Sequence, residues 1–340
     1  MSTPKVLLTG GAGYIGSHTA VELIHQGYDV VLVDDLSRSE HRMVEGIEKI
    51  TGKSVAFYQG DCADAAFLQS VFQKEKISSV IHFAAYKSVG ESVENPLLYY
   101  RNNLLSMVIL LDEMKRAGVE QIIFSSSCTV YGQPEQIPVD ESAPFKKAES
   151  PYGATKQMCE RILEDATVAN KNLRVISLRY FNPVGAHPSA LIGELPIGTP
   201  SNLVPFITQT AAGIRPQLTV FGNDYNTPDG SCVRDFIHVV DLAKAHVKAV
   251  QAISAIRTPY ETFNIGTGNG ETVLDLIKKF IRVTGVQLNY TIGARRPGDV
   301  EKIFANPKKA HEVLKWKAEQ TLEDSLLHAW NWEKKLRGLK

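Results

Sequence analysis

The sequence predicts an α/β fold built on a doubly wound parallel sheet and followed by a second, smaller α/β domain. Through the first 180 residues, short β-branched runs alternate with longer amphipathic stretches. The short runs are apolar at nearly every position, which is typical of strands covered on both faces. A glycine-rich segment joins the first strand to the first helix. Such strands, separated by helices, form a parallel sheet with helices on both sides.

The elements of the first domain follow one another without interruption. The predicted strands are KVLLTG (5–10), DVVLVDD (29–35), SVAFYQGD (54–61), SVIHFAA (79–85), EQIIFSSS (120–127) and NLRVISLRYFN (172–182). The predicted helices between them include YIGSHTAVELIHQG (14–27), DAAFLQSVFQKE (64–75), LLYYRNNLLSMVILLDEMKRAG (97–118) and a helix opened by SPYGATK (150–156).

The alternation ends near residue 181, where a cluster of Pro and Gly extends from Pro183 to Pro205. Isolated strands (218–222, 261–268 and 286–292) and helices (239–253, 273–285 and 321–336) are predicted beyond it. We therefore expect a cofactor-binding domain at 1–181 and a substrate-binding domain at 182–340. Some segments of the second domain are expected to return to the first sheet.

The composition and charge exclude several classes of partner. Of the 340 residues, 44% are apolar and 22% are charged, which is typical of a globular protein with a substantial core. Lys and Arg number 37, as do Asp and Glu, so no net charge attracts nucleic acid or an anionic membrane. No apolar run approaches the roughly 18 residues of a membrane span, and the start lacks the apolar core of a signal peptide. We expect a cytoplasmic protein.

The cysteines indicate neither a disulfide framework nor a metal site. Cys62, Cys128, Cys159 and Cys232 are scattered, with no C-x-x-C and no histidine at ligand spacing. We expect reduced, mostly buried thiols and no bound metal.

Three glycines predict a site for a dinucleotide. Gly10, Gly13 and Gly16 form G-x-x-G-x-x-G between the first strand and the first helix. In a Rossmann fold, the first permits a tight turn, the second allows the pyrophosphate to approach the backbone, and the third lets the helix pack closely. The helix N-terminus then supplies amide groups and a partial positive charge.

The end of the second strand predicts the type of dinucleotide. Asp34 follows Gly16 by eighteen residues, where a carboxylate accepts hydrogen bonds from ribose hydroxyls and repels a 2′-phosphate. This favours NAD over NADP. Arg38 could receive a 2′-phosphate, but it follows two aspartates and we expect it to be solvated. Asp61, after the third strand, is a candidate acceptor for the adenine amino group or a loop cap, about equally.

A serine, a tyrosine and a lysine are expected to converge beside the cofactor. Ser125 to Ser127 end the fifth strand, and ligands of doubly wound sheets bind at the carboxyl ends of the strands. Tyr152 and Lys156 are four residues apart on a predicted helix, so they share one face. The alternative for this pair alone is a half-buried aromatic residue and a solvated charge.

These features together resemble the extended short-chain dehydrogenase/reductase family. Longer stretches are similar to the UDP-glucose (UDP-galactose) 4-epimerase family within it. They are GYIGSHT (13–19), VIHFAA (80–85), SSSCTVYG (125–132), SPYGATK (150–156), LRYFNPVGAHPS (178–189), FGNDY (221–225), VRDFIHV (233–239) and RRPGD (295–299). The similarity covers nearly the whole chain.

The resemblance implies reversible hydride transfer between C4 of a UDP-hexose and a tightly bound NAD. Tyr152 is then the base, and Ser127 hydrogen-bonds the same sugar oxygen or relays the proton. The 4-keto sugar formed turns over and is reduced on its other face. A phenol with a pKa of about 10 needs a drop of roughly 3 units, or about 4 kcal/mol. One positive charge at ~4 Å supplies about that much at an effective dielectric constant near 20. We expect Lys156, aided by the nicotinamide, to provide it.

The resemblance also implies two sets of contact residues. The cofactor set is Gly10, Gly13, Tyr14, Ile15, Gly16, Asp34, Asp35, Leu36, Ser37, Asp61, Cys62, Phe83, Ala84, Ala85, Lys87, Asn102, Ser125, Tyr152, Lys156, Tyr180 and Phe181. The substrate set is Lys87, Ser127, Tyr152, Asn182, Asn202, Leu203, Phe221, Arg234, Arg296 and Asp299.

The sequence departs from the family at three places. Ala85 and Tyr86 stand where F-A-G-L-K is usual, which alters the contacts expected there. Asp35 replaces a frequent asparagine and makes a 2′-phosphate less favourable. Ile303 lies where family members vary between bulky and small residues that control access for an N-acetyl group. Activity on UDP-N-acetylhexosamines, such as UDP-N-acetylglucosamine, therefore stays open.

The long helix after residue 96 predicts an interface. Its apolar residues, which cover more than one face, are Leu104, Leu105, Met107, Val108, Leu110, Leu111 and Met114. One face should cover the sheet, and the other needs a partner. Relatives pair this helix and the Tyr-Lys helix across a two-fold axis, so we expect a homodimer. A thicker monomer core is the alternative.

Two other functions compete with epimerisation. Nucleotide-sugar 4,6-dehydratases share the Ser/Thr, Tyr and Lys residues, but typically place Asp-Glu after the strand-end residue for elimination of water. Cys128 and Thr129 occupy those positions here. A non-catalytic NAD sensor is the other alternative, and the intact Ser127, Tyr152 and Lys156 argue against it.

Overall fold

The computed structural model describes residues 4–296 and 299–340. Its first half contains the strands β1 (Lys5–Thr9), β2 (Asp29–Asp34), β3 (Ala56–Gln59), β4 (Ser79–His82), β5 (Gln121–Ser127), β6 (Arg174–Tyr180) and β7 (Asn182–Val184). The helices between them are α1 (Tyr14–His25), α2 (Arg42–Thr51), α3 (Ala65–Lys74), α4 (Val89–Glu94), α5 (Pro96–Ala117) and α6 (Pro151–Ala169). A short 3₁₀ helix, Cys128–Tyr131, follows β5.

The second half has shorter strands and more irregular connections. Its strands are β8 (Leu218–Phe221), β9 (Val233–Arg234), β10 (Phe236–His238), β11 (Tyr260–Ile265), β12 (Glu271–Thr272), β13 (Tyr290–Gly293) and β14 (Lys302–Ile303). Its helices are α7 (Leu203–Ala211), α8 (Val239–Ala252), α9 (Val273–Thr284) and α10 (Leu322–Arg337). A 3₁₀ turn (Ile253–Ala255) and a π-type turn (Ala310–Leu314) complete the regular structure described.

A parallel sheet with the strand order β11-β6-β5-β4-β1-β2-β3 forms the centre of the described structure. The order reverses between β1 and β4, because the chain builds one half outward from β1 and then returns to build the other. A crevice forms at such a reversal, outside the carboxyl ends of the strands. The predicted fold class, a doubly wound α/β sheet, is confirmed.

Two apolar layers cover the sheet. Leu8, Ile81 and Ile123 belong to the cluster that also contains residues of α1 and α8. Leu7 and Val80 belong to the cluster on the other face, which includes residues of α3, α5 and α6. Successive strand residues point to opposite faces, which explains why the central positions of β1, β2 and β4 are apolar on both faces.

One strand of the second half extends the first sheet, and one helix of the second half packs on it. β11 pairs in parallel with β6 over its full length, from Tyr260 opposite Val175 to Ile265 opposite Tyr180. Leu242 and Ala245 of α8 lie in the same buried cluster as residues of α1. The expected division at residues 181 and 182 therefore remains a prediction about organisation along the chain.

The remaining C-terminal elements form a smaller α/β unit. Three short sheets pair β10 with β7, β9 with β12 and β14, and β13 with β8. A third apolar cluster joins α7, α9 and α10, with the rings of Phe280 and Trp330 in edge contact at 6.1 Å between centroids. α10 begins with a capping box in which Thr321 and Asp324 exchange side-chain and backbone hydrogen bonds. Within the described ranges, no helix is long and apolar enough to cross a membrane.

Candidate active site

The turn between β1 and α1 requires its glycines. Gly10 has a φ of +70°, and a Cβ there would lie 2.7 Å from the amide nitrogen of Ala84. A Cβ at Gly16 would lie 2.4 Å from the carbonyl oxygen of Gly10. A side chain at Gly10 would strain the backbone, and a side chain at Gly16 would collide with the turn against which the helix packs. The backbone at this edge of the sheet is left open to a ligand.

Asp34 is fixed at the end of β2 by three donors. Its carboxylate accepts hydrogen bonds from the amides of Ala12 and Leu36, each at 3.0 Å, and from the hydroxyl of Ser39 at 2.7 Å. Burial raises the pKa of Asp34, and these hydrogen bonds oppose the rise. The carboxylate faces the same cavity as the glycine turn.

Arg38 is exposed, as expected, with 49% of its side chain open to solvent. Its guanidinium forms an ion pair with Glu91 of α4 at 2.6 Å and lies 4.8 Å from the ring centroid of Tyr86. These two contacts were not foreseen, because nothing in the sequence indicates that a carboxylate 53 positions later and an aromatic ring meet Arg38. Tyr86, the residue that departs from the family pattern, thus contributes to holding Arg38.

Asp61 makes the loop contact that was one of its two expected roles. Its carboxylate accepts a hydrogen bond from the amide of Ala63 at 2.7 Å. Asp61 and Cys62 also line the cavity, so the second role, toward an adenine ring, stays a prediction.

The structure brings the predicted Ser, Tyr and Lys together. Ser127 ends β5, while Tyr152 and Lys156 lie in the first two turns of α6, which Ser150 caps through the amide of Gly153. The ammonium of Lys156 donates to the carbonyl oxygen of Ser125 at 2.7 Å and lies 5.8 Å from the centroid of the Tyr152 ring. Ser127 and Tyr152 both line the cavity, and the Ser127 hydroxyl lies close enough to the phenol to lower its pKa.

The charges at this site differ from the sequence-based expectation. Burial raises the pKa of Tyr152 to about 12, although the nearby Ser127 hydroxyl acts to lower this pKa. Burial also lowers the pKa of Lys156 to about 8, so its ammonium form still predominates at pH 7. The expectation placed the lysine charge at ~4 Å, closer than the 5.8 Å between its nitrogen and the ring centroid. The protein's own groups therefore leave the phenol mostly protonated at neutral pH.

A cavity of about 580 Å³ runs along the carboxyl ends of the strands. Ligand pockets of small-molecule enzymes have about this size. The predicted residues that line it are Gly10, Gly13, Tyr14, Ile15, Gly16, Asp34, Asp35, Ser37, Asp61, Cys62, Phe83, Ala84, Ala85, Lys87, Asn102, Ser125, Ser127, Tyr152, Lys156, Tyr180, Phe181, Asn182 and Asn202. The glycine cradle, the strand-end carboxylate and the Ser-Tyr-Lys group thus share one site, which fits a dinucleotide with a substrate beside it.

Other predicted residues lie outside this lining. Leu36, with a φ of +60°, is in the loop after β2, and Leu203 begins α7. Phe221, Arg234, Arg296 and Asp299 form a separate group, which we call the arginine cluster.

The arginine cluster is built around one carboxylate. Asp299 accepts hydrogen bonds from the Nη2 and Nε atoms of Arg296 at 2.7 and 3.2 Å, and its Oδ1 atom lies 3.6 Å from an Nη atom of Arg234. The guanidinium of Arg296 lies 5.6 Å from the ring centroid of Phe221. Arg234 is paired with Ile303 between β9 and β14, and Ile303 packs in one cluster with Phe181 of the cavity wall, so the cluster adjoins the cavity. Pro297 and Gly298 of the RRPGD motif lie outside the described residues.

Ile303 lies in the core. It is 5% exposed and packs in a cluster with Tyr131, Val139 and Phe181, although Phe181 itself faces the cavity. Its expected influence on N-acetyl sugars stays a prediction.

Sequence reasoning missed Glu194. One of its oxygens accepts hydrogen bonds from the ammonium of Lys87 at 2.8 Å and from the amide of Asn202 at 2.6 Å, two residues of the predicted substrate set. Its backbone carbonyl accepts from the indole of Trp332 at 2.9 Å. Glu194 lies in the Pro- and Gly-rich segment, where neither periodicity nor a motif signalled its importance.

The comparisons with known proteins agree with this geometry. Residues 6–266 match the sequence profile of the NAD dependent epimerase/dehydratase family. The chain belongs to this family. It is 50% identical over 330 residues to a UDP-glucose 4-epimerase of Yersinia enterocolitica, and the aligned region covers 97% of each chain. It is 49% identical to a UDP-glucose 4-epimerase of Bacillus subtilis, with 96% of each covered.

Solved structures are similarly close. The UDP-glucose 4-epimerase of Bifidobacterium longum, in complex with NAD⁺ and UDP, matches with a TM-score of 0.94 at 47% identity, covering 97% of this chain and 98% of that one. The enzyme of Stenotrophomonas maltophila, with bound NAD and a formylated UDP-arabinopyranose, matches with a TM-score of 0.96 at 48% identity, covering 98% and 99%. The family predicted from the sequence motifs is confirmed.

Proposed function

We propose that this protein is a UDP-glucose 4-epimerase that interconverts UDP-galactose and UDP-glucose with NAD as its cofactor. The observation that carries the proposal is that Ser127, Tyr152 and Lys156 meet in the cavity formed by the glycine turn. Relatives that bear this name are up to 50% identical over nearly the whole chain.

Different residues bind different parts of the cofactor. The backbone around Gly10, Gly13 and Gly16 takes the pyrophosphate at the N-terminus of α1, and Asp34 takes the adenosine ribose. When bound, NAD supplies the hydride acceptor and donor and a positive charge at its nicotinamide ring. That charge adds to the Lys156 charge beside the phenol and lowers its pKa further. The remaining cavity residues of the predicted cofactor set complete the site.

Tyr152 then removes the proton from the 4′-hydroxyl of the sugar and returns it to the same oxygen after inversion. Ser127, which lines the same cavity, hydrogen-bonds that sugar oxygen or relays the proton. Lys156 holds its charge beside the ring, because its ammonium is fixed on the Ser125 carbonyl. The mechanism needs these three groups in a fixed relative position on two neighbouring elements.

The substrate is held mainly through its nucleotide. Inversion at C4 requires that the hexose present either face to the cofactor, so most of the affinity must come from the remote UDP part. The arginine cluster supports this assignment, since two guanidinium groups share one carboxylate and keep donors for phosphate oxygens. Asn182 and Asn202, in the cavity, are further proposed contacts of the nucleotide part, at its pyrophosphate, uracil or ribose.

Elimination chemistry is less well supported. The family includes dehydratases, but Cys128 and Thr129 stand where an acid pair is needed to remove water. Burial raises the pKa of the Cys128 thiol to about 12, which makes it a poor proton donor. The epimerase reading is therefore preferred over the dehydratase reading.

We also propose a homodimer formed through α5 and α6. Leu105 and Val108 on α5 are 44% and 43% exposed, and Met158 on α6 is 43% exposed. Exposed apolar side chains on two adjacent helices favour a protein contact. Light scattering should give twice the chain mass, and Leu105→Glu with Val108→Glu should give the monomer. A wild-type monomer at micromolar concentration would refute this interface.

The function is tested by incubating purified protein with UDP-galactose without added cofactor. UDP-glucose should form, and denaturation should release NAD. A stable 4-keto-6-deoxy product, or no conversion even after NAD is added, would refute the proposal.

A further inference from the structure

A buried ion pair lies directly behind the Tyr-Lys pair. Glu160 follows Lys156 by one helical turn on α6, and its side chain is only 3% exposed. Arg179 of β6, with a side chain 6% exposed, pairs with it. A buried carboxylate and guanidinium are stable only when their hydrogen-bonding groups are satisfied, so the partners of this pair indicate what it holds.

The Glu160 carboxylate collects donors from three strands of the sheet. Arg179 of β6 binds it in a fork, with Nη2 at 2.7 Å and Nε at 3.0 and 3.3 Å from the two oxygens. Ser126 of β5 donates its hydroxyl at 2.5 Å, and Tyr260 of β11 donates at 2.9 Å. One side chain on α6 thus fixes the helix to three strands.

The contact with Ser126 is the one that reaches the active site. Ser126 lies between Ser125, whose carbonyl oxygen holds the Lys156 ammonium, and Ser127, which lines the cavity together with Tyr152. β5 and α6 are therefore tied at successive residues, once through Lys156 and once through Glu160. A shift of the helix along the strand would break both ties together.

The same network extends to the segment that follows Ser127. Arg179 donates from Nη1 to the hydroxyl of Tyr131 at 2.9 Å, and Tyr131 donates to Asn264 at 2.7 Å. Tyr131 ends the 3₁₀ helix after β5, and Arg179 precedes Tyr180 in the cavity wall. The ion pair therefore restrains the chain on either side of the Ser127 position.

We propose that Glu160, with Arg179, is a positioning residue that sets the distance of Tyr152 and Lys156 from Ser127. This inference rests on the proposed function and adds to it a residue that touches neither substrate nor cofactor. A misplacement of about 1 Å in reacting groups costs on the order of 10²-fold in rate. The charge of Lys156 and the hydroxyl of Ser127 also act less on the phenol when the helix moves away.

The test compares two hydroxyl deletions on the same carboxylate. Ser126→Ala and Tyr260→Phe each remove one donor to Glu160, but only Ser126 ties β5 to α6. We expect Ser126→Ala to lower kcat about tenfold, with the KM for UDP-galactose within about twofold of the wild type. We expect Tyr260→Phe to keep kcat within about twofold.

Glu160→Gln should lower kcat by a factor on the order of 10². Its control is Asp165→Asn, which changes an exposed ion pair with Arg161 on the same helix.

A second measurement separates positioning from loss of folded protein. The phenol of Tyr152 is titrated by its phenolate absorbance, as the difference between each protein and the same protein with Tyr152→Phe. The pKa should rise by about half a unit or more in Ser126→Ala and stay unchanged in Tyr260→Phe. Equal kcat losses in the two variants, no loss in either, or an unchanged phenol pKa in Ser126→Ala would overturn the inference. A wild-type protein without epimerase activity would instead overturn the proposed function.

Discussion

Replacing Lys156 with methionine isolates the charge on which the proposed chemistry depends. Methionine has a similar length and no charge, and Lys156 is 4% exposed, so the change removes a buried cation and little volume. Its nitrogen lies 5.8 Å from the centroid of the Tyr152 ring. At an effective dielectric constant of about 20, a unit charge at that distance stabilises the phenolate by about 3 kcal/mol, or about 2 pKa units.

We therefore expect Lys156→Met to move the acidic limb of the pH profile of kcat upward by about 2 units. At pH values below that limb, turnover should fall by a factor on the order of 10². The assay is conversion of UDP-galactose between pH 5 and 10, paired with titration of the Tyr152 phenol by absorbance. Arg161→Met removes an exposed cation from the same helix and should leave both curves unchanged.

The reasoning would be refuted by a Lys156→Met enzyme whose acidic limb and phenol pKa match those of the wild type. Lower turnover alone does not decide the matter, since the lysine also donates a hydrogen bond to Ser125. The shift of the pKa is the result that identifies an electrostatic role.

Three further predictions concern neighbouring groups. Tyr152→Phe should lower turnover by a factor on the order of 10² to 10⁴ while UDP affinity, measured by calorimetry, changes little; turnover near that of the wild type would remove Tyr152 as the base. Asp34→Ala should relax the preference for NAD over NADP in cofactor titrations of the emptied protein, and unchanged discrimination would refute its role at the ribose. Burial lowers the pKa of His246 to about 4, because protonation would charge a ring that accepts a hydrogen bond from Tyr180. Stability from this group is complete above pH 6.5 and is lost as the pH falls toward 4, so denaturant titrations should show a smaller loss over this range in His246→Gln than in the wild type.

The parts of the site that were predicted correctly depend on local geometry. The turn at Gly10 needs a positive φ and leaves no space for a side chain, and that requirement is visible in the sequence of a strand, glycines and a helix. The spacing of Tyr152 and Lys156 fixes their common face, because a helix repeats every 3.6 residues. Parallel pairing then brings the ends of β1 and β5 to one edge of the sheet.

The parts that were missed depend on contacts between distant segments. Arg38 meets Glu91 and Tyr86, and Glu194 meets Lys87 and Asn202, through folding of loops that have no periodic pattern. Periodicity places a residue on a face but does not give its partner.

The ionisation of the site shows the same limit. The expected phenol pKa considered the charge of Lys156 at an assumed distance, aided by the nicotinamide. Burial of Tyr152, which was left out, acts in the opposite direction and raises its pKa to about 12. The sequence shows which ionisable groups are present but not how deeply each one is buried. Glu160 carried one local signal, its position one turn after Lys156, which became meaningful only when Ser126 and Arg179 were seen beside it.

The most direct test of the central claim follows the hydrogen at C4 of the sugar. UDP-galactose labelled with deuterium at C4 is converted in ordinary water, and the UDP-glucose formed is analysed by mass spectrometry and nuclear magnetic resonance. Transfer to the cofactor and back predicts that the deuterium stays on C4 with the configuration inverted. UDP-glucose whose C4 deuterium has been replaced by hydrogen from solvent would contradict the hydride-transfer mechanism.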